Sequence, residues 1–126
     1  MVIGLGIDVA SIPRIRAALA RHGLRFWQRI LTPAEQQDLD GIRGDRAVTL
    51  AGRFAAKEAF SKALGAPQDV WFQDVEVRRD ASGLPRLSWT GAALARAEAL
   101  GVARALVSIT HDADVAAAVV VLEREA

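Results

Sequence analysis

"GRFAAKEAFSKALG", Gly52–Gly65, is built almost entirely of good helix formers and ends in a glycine that stops a helix, with Pro67 just beyond. The helix this predicts starts near Asp45 and runs to Leu64. At ~100° per residue, Val48, Gly52, Ala55, Ala59 and Ala63 form a stripe of small side chains, while Leu50, Phe54, Phe60 and Leu64 cover much of the other side. Such a helix wants contact nearly all round. It nevertheless carries Arg53, Lys57, Glu58 and Lys62. Arg53 and Lys57 share one edge; Glu58 and Lys62 share another at i,i+4 spacing.

On an arbitrary helix Glu58 and Lys62 would be a surface salt bridge contributing a few tenths of a kcal/mol. With so little solvated perimeter, these charges belong at the rim of a cleft or interface, where unpaired buried charge would be costly. A carboxylate there, a lysine one turn on, and a second carboxylate elsewhere would compose a cation site that also holds phosphate. The second carboxylate is Asp8. In "VIGLGIDVA" strand alternation sets Ile3, Leu5, Ile7 and Val9 on one face and Gly4, Gly6 and Asp8 on the other, so Asp8 ends a row without side chains.

The flanking segments supply the remaining elements. Ser11 caps a helix with Pro13 in its first turn, ending near His22 at Gly23. Thr32, Pro33 and Glu35 in "LTPAEQQDL" form a capping box that opens a short helix. After Pro67 the period changes to two: "FQDVEVRR" and "RLSW" read as strands joined by the turn "DASGLP". "GAALARAEALG" reads as a helix, and "ARALVSITH" and "VAAAVVVLE" as a closing antiparallel pair about the turn "DAD". The order predicts an α+β fold, a mainly antiparallel sheet packed around one long helix, and residues 1–126 fit a single domain.

Composition excludes several chemistries. With no cysteine and two separated histidines there is no thiolate zinc site and no thiol nucleophile, so a metal would be a hard cation held by carboxylates. No apolar run approaches the ~20 residues of a membrane span. The N-terminus lacks the basic stretch of a secretory signal, so a cytoplasmic protein is expected. Net charge is only +1, but residues 1–31 hold five arginines against Asp8 alone. "GLGID" lacks the third glycine of a dinucleotide fingerprint, and nothing builds a nucleophile elbow around Ser108. His111, ending the strand "SITH", read alone is a hydrogen-bonded structural residue more often than a functional one. Arg14, Arg21 and Arg25 would lie along one helical stripe but for Gly23, and read either as a solvated basic face or as a dock for an acidic partner.

Three separated pieces, "GLGIDVASIPRI", "GRFAAKEAFSKALG" and "VSITH", in this order and spacing over nearly the whole chain, resemble the holo-[acyl-carrier-protein] synthase family, the small phosphopantetheinyl transferases. The resemblance implies transfer of the 4'-phosphopantetheine arm of coenzyme A to a serine of an apo acyl carrier protein, leaving adenosine 3',5'-bisphosphate. By matching motifs it implies Asp8 and Glu58 as magnesium ligands, Glu58 and Lys62 as catalytic, and Lys62 as the residue that meets the pyrophosphate. It implicates Arg53, Ser61, Gly65, Pro85 and His111 in the coenzyme pocket, and Arg14, Arg21 and Arg25 as the carrier-protein dock. The base that takes the serine proton would be Glu58 or a metal-bound water. Lys57 is left as a supporting residue. The family's trimer, with sites between subunits, would account for a helix without a solvated face. Two departures stand out: "GAPQDV" replaces a glycine-rich loop, which alters the coenzyme contacts expected there, and Asp112 is an additional carboxylate that could reach the metal shell.

Two readings compete with this one. A nucleic-acid-binding module would need the three tryptophans interleaved with the arginines, whereas only Trp27 lies near them in sequence. An inert assembly domain would have no use for Asp8, Glu58 and Lys62 together. No nucleic-acid or membrane partner is therefore expected.

Overall fold

A computed structural model describes residues 1–125, the side chain of Leu24 excepted. β1 (Val2–Ser11) leads directly into α1 (Ile12–His22), capped by the Ser11 hydroxyl, which accepts from the Arg14 N–H. Gly23, at φ 57°, ends α1 and opens α2 (Leu24–Ile30). α2 has no side-chain cap and only seven residues, too few for a periodic signal, which is why sequence reading does not mark it. α3 (Pro33–Asp40) carries the predicted capping box of Thr32 and Glu35. α4 (Arg46–Ala63) is the long helix, capped by Asp45.

A short 3-10 turn at Phe72–Asp74 precedes β2 (Val75–Arg79), so the strand begins later than "FQDVEVRR" suggests. β3 (Pro85–Trp89) completes the hairpin, and α5 (Gly91–Leu100), β4 (Arg104–Asp112) and β5 (Val115–Glu123) follow. All strand pairings are antiparallel, in a sheet ordered β1-β5-β4 and a separate β2-β3 ribbon. This bears out the α+β expectation.

α4 packs across the three-stranded sheet with its small stripe against the glycine row of β1. A Cβ on Gly6 would collide with the Ala59 carbonyl oxygen, and one on Gly4 with that of Ala63. The approach is possible only because both positions lack side chains. Eleven of the eighteen residues of α4 are buried, among them Leu50, Ala55, Ala59 and Phe60.

The cover over α4 comes from its own chain, so the want of a solvated face on this helix is no argument for a trimer. A different surface is left open instead. Alternation along β1 turns Leu5, Ile7 and Val9 away from α4, and they remain 61–66% exposed. On the same outer face, Ile7 pairs with Val119, Leu5 with Val121 and Val121 with Leu106, which is itself exposed. The result is an apolar sheet face that nothing among the described residues covers.

Candidate active site

The charges of α4 divide as the sequence suggests but to different ends. Lys57 is 2% exposed, and its ammonium donates to Glu35 Oε1 at 2.6 Å, the Ile30 carbonyl at 2.6 Å and the Phe72 carbonyl at 3.0 Å. Glu35, fully buried, also accepts from the Thr32 N–H and the Val77 N–H, both at 2.8 Å. Burial pulls Lys57 below the ordinary lysine range, and its carboxylate partner opposes that pull. Each donor and acceptor of the pair has a partner inside the fold. The pair joins α2, α3, α4, the 3-10 turn and β2.

Glu58 and Lys62 lie on a more open edge of the second half of α4. The Lys62 ammonium, on a half-exposed side chain, donates to Asp8 Oδ1 at 2.9 Å and to the Ile7 carbonyl at 3.2 Å. Asp8 comes inward from β1 just past the glycine row, so the close approach of strand and helix is what makes this pairing possible. Burial, and then the charge of Asp8, hold the Glu58 carboxyl above its ordinary range; Lys62 works the other way. Among the described residues no group of three or more acidic or histidine side chains gathers, so Asp8 and Glu58 stand as a pair. Asp112, at the end of β4, does not join them in a group of three among the described residues of one chain.

Glu58 and Ser61 line a cavity of about 190 Å³ closed on its far side by Val70, Trp71, Phe72 and Val75. Just beyond them the chain leaves α4 through Gly65 at φ 92° and Ala66 at φ 54°, with the Ala66 N–H donating to the Ser61 carbonyl. Ala66 in the left-handed region is a strained position, and Pro67 follows it, so "GAPQDV" is a stiff exit rather than a free loop.

Arg53, Pro85 and His111 come together elsewhere, in a cavity of about 130 Å³ beside the first half of α4. Arg53 is 7% exposed; its guanidinium donates to the Glu35 carbonyl and lies 3.8 Å from Asp38, which Arg78 grips with two hydrogen bonds. Arg79 and Thr110 share this cavity, and sequence reasoning did not single them out. Strand alternation sets Arg79 on the face of Val77, but it would put Thr110 and His111 on opposite faces and so gave no sign of Thr110. Of the residues implicated in one coenzyme pocket, Ser61 thus lines one cavity of the chain and Arg53, Pro85 and His111 another, while Lys62 and Gly65 line neither.

Arg14 and Arg21 are exposed on α1 and Arg25 on α2, across the break at Gly23, so the three do not lie along one continuous helix. Trp27 sits under the Arg46 guanidinium and Trp89 packs on Phe60, which leaves Trp71 alone strongly exposed.

The family profile of the 4'-phosphopantetheinyl transferase superfamily matches residues 4–120. The chain is 56% identical over 125 residues to a holo-[acyl-carrier-protein] synthase of Solidesulfovibrio magneticus, covering 98% of this chain and 99% of that protein. Its structure is similar to that of a holo-[acyl-carrier-protein] synthase from Neisseria meningitidis, with a TM-score of 0.89 and 36% identity over 98% of this chain and all of the other. It is similar as well to the Helicobacter pylori holo-[acyl-carrier-protein] synthase in complex with coenzyme A, with a TM-score of 0.82 and 31% identity over 94% of this chain and 99% of the other.

Proposed function

The chain belongs to the 4'-phosphopantetheinyl transferase superfamily, and from that premise we infer that it moves the 4'-phosphopantetheine arm of coenzyme A to a serine of an apo acyl carrier protein. The observation that carries this reading to the level of residues is the Lys62–Asp8 ion pair beside a Glu58 of raised pKa.

Two hard oxygen donors that repel each other fit a magnesium ion, which binds through few carboxylates and keeps its waters. When bound by Asp8 and Glu58 it would neutralise charge on the pyrophosphate. The serine oxygen attacks the phosphorus that bears the pantetheine, the bond from that phosphorus to the bridging oxygen breaks, and adenosine 3',5'-bisphosphate leaves. Lys62, half-exposed and free to turn from Asp8, meets the pyrophosphate and stabilises the departing phosphate. Glu58, or a water held beside it, accepts the serine proton.

The cavity of Arg53, Pro85 and His111 takes the nucleotide end of the coenzyme. Its separation from Glu58 and Ser61, together with the open apolar face of Leu5, Ile7 and Val9, supports a homotrimer in which one copy's His111 cavity meets its neighbour's Glu58. Arg14, Arg21 and Arg25 dock the acidic carrier protein. Residues 1–126 form one domain acting in the cytoplasm; no described helix is long and apolar enough to cross a membrane. A nucleic-acid module is disfavoured because Trp27 and Trp89 are committed to packing within the fold.

The test is intact-mass spectrometry of apo acyl carrier protein incubated with this protein and coenzyme A, with magnesium or with chelator. A gain of one phosphopantetheine that needs the metal is expected. No gain with several carrier proteins and a folded enzyme would sink the reading. Light scattering on the same sample should give three times the chain mass, and a monomer would remove the shared site.

A further inference from the structure

Trp71 and Phe72, which face Glu58 and Ser61 across their cavity, stand on the connection between α4 and β2, outside both elements. A wall so placed has no strand ladder or helix of its own to hold it, and two side-chain tethers do so instead. The Lys57 ammonium, reaching out from α4 along the same cavity, donates to the Phe72 carbonyl at 3.0 Å. The Gln73 amide donates to the Leu31 carbonyl at 3.2 Å and to that of Gln28, tying the turn to the end of α2. The turn is firm within itself: the Trp71 N–H donates to Asp74 Oδ2 at 3.1 Å, and the Asp74 N–H to the Trp71 carbonyl at 3.0 Å. It therefore moves as one piece, and the tethers decide where that piece sits.

Lys57 immediately precedes Glu58, and the Glu35 carboxylate and the Ile30 carbonyl hold its ammonium at 2.6 Å each. Its reach is thus fixed at both ends, and a side chain of fixed reach from helix to wall sets the width of the slot between them. We propose that Lys57 is a positioning residue for the transfer: through the Phe72 carbonyl it holds the wall at the distance from Glu58 and Ser61 that seats the pantetheine arm. The inference rests on the transferase reading. In-line attack requires the phosphorus that bears the arm to be held still, and a wall displaced by about an ångström would cost about a hundredfold in rate. Lys57 acts here through the backbone of Phe72 and touches no reacting atom.

Two disruptions of the same buried pair separate positioning from stability. Lys57→Met removes the tether to Phe72. Glu35→Gln removes the charge partner but leaves Lys57 the Phe72 and Ile30 carbonyls. Each variant is compared with the native protein by thermal melting, by kcat/KM for coenzyme A and KM for carrier protein, and by calorimetric Kd for adenosine 3',5'-bisphosphate, which lacks the arm. Lys57→Met should lower kcat/KM for coenzyme A about a hundredfold, with the nucleotide Kd and the KM for carrier protein within about twofold of native. Glu35→Gln should melt lower than native yet keep most of its kcat/KM. Gln73→Ala, at an exposed position, loosens the second tether and should lower kcat/KM severalfold with the nucleotide Kd unchanged; it carries the test alone if Lys57→Met does not fold. Losses of kcat/KM that track melting temperature equally in Lys57→Met and Glu35→Gln would make the pair structural only and overturn the proposal. So would a nucleotide Kd that weakens in step with kcat/KM, or a kcat/KM that neither tether variant moves. In each of these cases the native protein still transfers the arm; no transfer by the native protein would instead remove the transferase reading, and the role of Lys57 with it.

Discussion

Two lysines five residues apart on α4 have opposite fates. Lys57 and its carboxylate, Glu35, are sealed in the fold with every hydrogen bond made. Lys62 pairs with Asp8 at similar distance but half in solvent, beside Glu58, a carboxyl whose charge the surroundings disfavour. An ion pair that exhausts its bonding inside the protein is architecture. One that leaves a neighbouring carboxylate uncomfortable has affinity left for a ligand.

The contrast breaks most sharply at the sealed pair. Lys57→Ala leaves the Glu35 carboxylate buried without its partner and should cost about 3–5 kcal/mol of stability, read by denaturant unfolding. If it unfolds no more easily than the native protein, the pair is not architecture. At the open pair the loss should appear in rate instead. Glu58→Gln should lower kcat by about 10²–10³-fold, the order of a lost transition-state contact.

Its effect on the fold follows from sign. Because Glu58 titrates above the ordinary 4.5, the stability it lends is fully present below that value and is lost as pH rises through its raised pKa. At neutral pH the metal-free Glu58→Gln protein should therefore melt at the same temperature or higher. Turnover of the native enzyme should fall on the acid side as Glu58 becomes protonated, at a lower pH the more magnesium is supplied, because a bound cation favours the carboxylate. An acid limb unmoved by Glu58→Gln in its residual activity would detach Glu58 from proton transfer. The smallest effect is at the basic surface: Arg21→Ala should weaken the encounter with an acidic carrier protein severalfold at low salt and little at high salt, with kcat preserved.

What was legible in the sequence was local. Caps at Ser11 and Thr32, a helix start near Asp45 and the small stripe of α4 each draw on neighbours within a turn or two, and all appear in the structure. The sealed pair was not legible, since Glu35 reads as half of a capping box and its partner lies 22 residues on. Nor was the inner face of β1. Alternation separates the glycine row from the apolar row, yet apolar residues usually face the core, and here the bare row does because a helix needs room. The convergence of Arg53, Pro85 and His111 depends on α4, the ribbon and β4 meeting, which no local pattern encodes. For the same reason the division of the coenzyme residues between two cavities could be seen only in three dimensions.

The bare row of β1 also bears on how this protein could be engineered. Replacing a glycine by alanine within a strand is an ordinary route to a more robust enzyme, because it narrows the freedom of the unfolded chain. At Gly6 the added methyl would meet the Ala59 carbonyl and push α4 off the sheet, carrying Glu58 and Lys62 away from Asp8. A stabilisation campaign that protected every charged residue of the site but left its glycines open to change could thus disable the enzyme without altering a single functional group.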